Sequence, residues 1–167
     1  ARRAWEADKD PFRFDLSLDT GWLRTAVETL GGMDSPAVTA FLGCRSLVDV
    51  LWLRFYREME PEEAYHHVVA VRGFLSSRQY WALLELDKAK DWLEVLDDHP
   101  MARFIRNREL EVDTVGQVQD AGRRYIWSLL GHRRPFPFDP ESVIEFLIWM
   151  EMCIQDIITA LQAKRVG

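Results

Sequence analysis

Glu63 and His66 stand three residues apart in a stretch of helical periodicity, the spacing by which one helix offers a carboxylate and an imidazole to a di-iron site. Such a site needs a second Glu-x-x-His on a facing helix and two further carboxylates, and the sequence holds no second copy. His66 and His67 are neighbours and so point to different sides of a helix, while His99 and His132 fall at helix ends. No histidine pair therefore has the i, i+4 geometry of a zinc-binding helix. Cys44 and Cys153 lie within apolar helical faces without CxxC or Cys/His spacing and read as small core residues. No metal and no cofactor are expected.

Nucleophilic and phosphate chemistry fare no better. The sequence has no GxSxG, no Walker loop, no GxGxxG and no HExxH, and nothing marks Ser128 or Ser142 as a nucleophile. Arg45 and Asp49 are spaced i, i+4 between apolar flanks, with Tyr56 continuing the line. They form either an intrahelical surface pair or one wall of a ligand pocket. The third constellation is basic. Between Pro100 and Pro135 there are seven arginines against four acids, whereas residues 136 to 163 carry five acids and no base. Arg123, Arg124, His132, Arg133 and Arg134, with Trp127 as an exposed aromatic beside them, make a candidate anion-binding surface. The plain alternative is that arginine outnumbers lysine throughout the chain, 17 to 4.

The elements that would carry these residues are helical. Residues 140 to 164 read as the central helix, with Asp139 as cap and Pro140 at the first helical position. At about 100° per residue, Val143, Phe146, Leu147, Met150, Cys153, Ile154, Ile157, Ile158 and Leu161 share one broad face, the expected core face. Opposite lie Glu141, Glu145, Ile148, Met152, Gln155 and Thr159, a narrow heptad seam with an apolar middle. Either another helix of the same chain covers that seam or a partner does. On the second reading Glu145, Ile148, Met152 and Gln155, together with Trp127, are the partner-binding residues.

Upstream, Phe12, Phe14, Leu16 and Leu18 alternate with polar residues, which predicts a strand or extended arm, with 109–112 as a candidate pairing strand. Helices are expected over 20–30, 34–59, 61–75, 78–97, 100–108 and 113–130, bounded by Asp34-Ser35-Pro36, Pro61, Ser76-Ser77, Pro100 and Gly131. The three prolines of 132–140 forbid a helix there.

Length allows one domain with a real core, and the 48% hydrophobic content is that of a globular protein. A net charge of −6 argues against a general nucleic-acid binder. Neither a membrane span nor a signal peptide is indicated, which makes the cytoplasm the expected compartment. The expectation is an all-α, bundle-like domain of roughly seven helices around a long apolar C-terminal central helix. An N-terminal arm covers 1–18 and the single helical domain 19–167. Functionally, the sequence points to a non-enzymatic interaction or regulatory domain working through contacts with a protein partner or with itself as a homodimer. The alternatives are a small-molecule-binding or catalytic helical domain with a pocket beside the central helix, and polyanion binding by the arginine-rich segment 103–134.

Overall fold

The computed structural model describes residues 11–88, 91–105, 114–130 and 140–166. The described residues form helices and connecting turns, with no strand among them, and the all-α class holds. In chain order the helices are α1 (Pro11–Leu30), α2 (Pro36–Phe55), α3 (Pro61–Tyr65), α4 (Ser77–Leu84), α5 (Trp92–Val95), α6 (Ala102–Ile105), α7 (Thr114–Leu130) and α8 (Pro140–Val166).

The centre of the core is α2, not the C-terminal helix. Val38, Leu42, Leu47, Leu51 and Leu53 of α2 are all essentially inaccessible, and they lie on several sides of the helix. A helix apolar all round belongs inside, and α2 touches α1, α3, α4, α7 and α8. By length and composition α2 could also cross a membrane, but 61% of that apolar window is buried among its neighbours. Its start follows the Asp34-Ser35-Pro36 signal. Pro36 occupies the first turn, and the Ser35 hydroxyl accepts from the Val38 N–H at 3.3 Å, satisfying one of the donors a helix start leaves open.

Two glycines set the closest approaches to α2. The Phe74 ring lies directly on Gly43, where an added Cβ would meet the ring at 2.1 Å. Gly122 of α7 faces Cys44 in the same way, with the sulfur 3.0 Å from a would-be Cβ. Burial pushes the Cys44 thiol up to about 12, so it acts as a small apolar group.

Several expected elements differ, each for a physical reason. Residues 12–18 are not a strand or arm but the first turns of α1. The spacing Phe12, Leu16, Thr20, Leu23, Val27, Leu30 also fits a helix, and a helix satisfies its own backbone where a lone strand would not. The helix expected through 75 stops at Tyr65, where the next N–H groups bond only three residues back, His67 to Ala64 and Val68 to Tyr65, and the Val69 N–H turns to the Ser46 hydroxyl of α2 at 3.4 Å. Val69 and Val71 are both buried along the non-helical path that follows, and Gly73, at φ +84°, turns that path so Phe74 can reach Gly43. The helix expected over 78–97 divides into α4, which opens with a full Ser76/Gln79 capping box, and the single turn α5. Expected pairing with 109–112 lies outside the described residues.

Candidate functional site

The orientation of α8 decides what the molecule offers its surroundings. Ile148 and Met152 are each 4% exposed, packed into the core cluster that α2 and α7 build. Of the two readings of the seam, cover by the same chain holds at its middle, and Ile148 and Met152 are core rather than partner-binding residues. Polar groups fix the same side. Glu141 accepts from the Asp34 N–H at 3.0 Å, and Glu145 accepts from the Ser35 hydroxyl. Both carboxylates therefore lie at the N-terminus of α2, where the helix dipole favours negative charge. Further along, Asp156 pairs with Arg123 of α7.

The face expected to be core is consequently turned outward. Val143, Phe146, Leu147, Met150, Ile154, Ile157, Ile158 and Leu161 are 39–59% exposed, Cys153 is half-buried among them, and Trp149, outside that face, is exposed as well. Phe146 and Trp149 stack at 5.8 Å, making a flat aromatic end to the patch. With large side chains on the order of 150–250 Å² each, this exposure comes to about 800 Å², beyond the largest patch of an ordinary monomer. The amphipathicity of α8 is in effect reversed: its carboxylates grip the domain and its hydrophobes face away.

The remaining candidate residues fall into two clefts on either side of α2. The one anticipated beside the C-terminal helix is about 240 Å³, lined by Arg45, Val48, Arg123, Glu151, Met152 and Gln155 among others. Gln155 donates to Glu151 at 3.1 Å on its exposed rim. The other is larger, about 410 Å³, and lies between α1 and α2. Arg45 and Asp49 form their ion pair there at 3.4 Å, and Arg45 reaches Asp19 at 3.9 Å. Burial raises the Asp49 carboxyl to about 6; Arg45 opposes the rise and Asp19 adds to it. Across the cleft, Thr20 meets the His67 Nδ1 at 3.3 Å, and burial holds that imidazole below its ordinary value. The Arg57 guanidinium covers Phe12 and Trp52 at 4.1 and 4.7 Å. Tyr56, expected in this pocket, is exposed and does not line it. Thr20 and His67 were missed because only the packing of α1, and of the turn after α3, against α2 brings them to Asp49, whereas Arg57 follows α2 directly, eight residues beyond Asp49.

The basic surface is weakened where it is described. Arg123 is paired with Asp156, and Arg124 with Asp120 at 3.2 Å. Trp127 is not an exposed companion to them but is half-buried against the core. His132, Arg133 and Arg134 lie outside the described residues. Glu63 bonds Arg13 at 3.5 Å, and among the described residues no three His, Cys, Asp or Glu side chains converge as metal ligands. Compared with known protein families, curated proteins and solved structures, the chain matches none, and its function must be read from this geometry.

Proposed function

We propose that the protein is a helical interaction domain whose docking surface is the outward face of α8. One observation carries the reading: a contiguous stripe of eight large hydrophobes stays open while carboxylates of the same helix are used against the domain. A helix free to choose would bury the stripe, since each such side chain gains about 1.5 to 3 kcal/mol on leaving water. Holding it outward is sensible only if something else covers it. The area matches the roughly 800 Å² that each partner contributes to a stable protein interface. The exposed Glu151 carboxylate at the edge of the stripe, and a net charge of −6, favour a protein over an anionic lipid surface.

Leu147→Lys with Ile154→Lys is the direct test. The expected result is a folded domain whose thermal midpoint is unchanged and which no longer binds a hydrophobic dye such as anilinonaphthalene sulfonate. A fall in midpoint as large as that of a core substitution would mean the stripe is buried within the domain, and the reading would be wrong.

A second reading rests on the 410 Å³ cleft between α1 and α2, which is the size of a small-molecule site and gathers Asp49, Arg45, Thr20 and His67 against Phe12 and Trp52. Its test is thermal stabilisation by small amphipathic cations and zwitterions, abolished by Asp49→Asn. No ligand-dependent shift across such a panel would remove it.

A further inference from the structure

The outward stripe has a period of its own. Val143, Leu147, Met150, Ile154, Ile157 and Leu161 are spaced four, three, four, three and four residues apart, three heptads of a coiled-coil seam. Phe146 and Ile158 widen it on either side, and all eight are exposed. A 3.5-residue repeat is what another helix requires, because it keeps the seam facing its partner over many turns. Here it runs for about 30 Å at 1.5 Å per residue.

We infer that the occupant of this face is the same face of a second copy of the chain, with the two α8 helices antiparallel about a two-fold axis near Met152. This rests on the docking reading above and names its partner. Three observations select it. The first is register: in an antiparallel pair the two kinds of seam position alternate across the interface. One register sets Val143 against Leu161, Leu147 against Ile157 and Met150 against Ile154, so every apolar position of the seam meets another. The stripe is its own complement, as an isologous two-fold contact demands.

Charge is the second. Exposed Lys164 is the next position of the seam. Parallel pairing would set the two Lys164 ammonium groups against each other. Antiparallel pairing carries Lys164 to the level of Pro140 on the opposite helix, so the two ammonium groups stand at opposite ends of the contact instead of facing each other. The third is area: about 800 Å² from each copy is what a stable dimer uses.

The experiment is sedimentation of the full chain and of Ile154→Glu, with disulfide trapping of orientation in a Cys153→Ala background. Wild type is expected to be a dimer, and Ile154→Glu a folded monomer. Each dimer holds two copies of a central anchor worth about 30-fold or more in affinity, so the dissociation constant should rise by at least about 100-fold. For orientation, chains carrying Val143→Cys are mixed with chains carrying Leu161→Cys and oxidised. Mixed disulfides support the antiparallel register, and disulfides within each variant alone overturn it.

A dimer that Ile154→Glu leaves intact would overturn both this inference and the docking reading, since the contact would lie elsewhere. A wild-type monomer up to about 100 µM would overturn self-pairing alone, provided the monomer still binds the hydrophobic dye and loses it with Ile154→Glu. Sedimentation of that monomer with phosphatidylcholine or phosphatidylserine vesicles would overturn it in favour of a lipid surface.

Discussion

Ile148→Glu and Ile154→Glu place the same charge on the same helix six residues apart, yet the structure assigns them opposite consequences. Ile148 is 4% exposed against α2 and α7, whereas Ile154 is 47% exposed on the outer stripe. At 148 the substitution forfeits about 1.5 to 3 kcal/mol of apolar burial. It also leaves an unpaired carboxylate in the core, which protonates or pulls in water at further cost. A total of about 3 to 5 kcal/mol is a large share of a typical domain's 5 to 15. For a chain of this length that corresponds to a fall in thermal midpoint of about 10 to 15 °C. At 154 the folded monomer changes by no more than about 0.5 kcal/mol, as for ordinary surface positions. Circular dichroism melts and urea titrations of both variants, in dilute solution where association contributes least, give the comparison. If Ile154→Glu unfolds the domain while Ile148→Glu leaves it intact, α8 sits rotated by half a turn. The docking reading, the dimer and the account of the polar pins would then all fail together.

Three further outcomes are expected. Gly43→Ala gains helix propensity, yet its Cβ would sit 2.1 Å from the Phe74 ring, so denaturant unfolding should show a net loss of about 1 to 3 kcal/mol that Phe74→Leu partly restores. Ser35→Ala removes both the α2 cap and the hydroxyl that Glu145 accepts from, which should cost about 1 to 2 kcal/mol by thermal melting. Asp49 titrates at about 6 when folded, above its unfolded value, so the native state binds the extra proton and this group's contribution to stability falls as pH rises from about 4 to 6. Asp49→Asn should therefore stabilise at pH 7 by about 1 to 2 kcal/mol, the shift being discounted for partial exposure, and give no gain at pH 4. His67 in the same cleft has the opposite slope, losing stability as pH falls below its ordinary range, and it is cancelled by taking the difference between wild type and variant at each pH.

Local chemistry made some of the architecture legible before any coordinates. The Asp34-Ser35-Pro36 start, the Ser76-Ser77 boundary and the Pro140 start each hold, because caps and proline act over a single turn and owe little to distant contacts. The pairing of Arg45 with Asp49 was equally readable, since i, i+4 neighbours meet on any helix. Periodicity alone misled at Phe12 to Leu18, where a short alternation fits both strand and helix, and beyond Tyr65, where the Val69 N–H turns to the Ser46 hydroxyl instead of continuing the helix that spacing predicts.

The two faces of α8 were also visible in the sequence, but which of them turns inward was not. A helical wheel ranks faces by hydrophobicity and assigns the wider apolar one to the core. What overrode it was the position of single groups on other elements: the Ser35 hydroxyl and Asp34 N–H at the start of α2, and Arg123 on α7. Those donors all lie more than 30 residues away in sequence, and only tertiary packing brings them to Glu141, Glu145 and Asp156. Sequence thus determined that α8 has two contact surfaces. Folding decided that the narrow one packs into the domain and that the broad one faces outward.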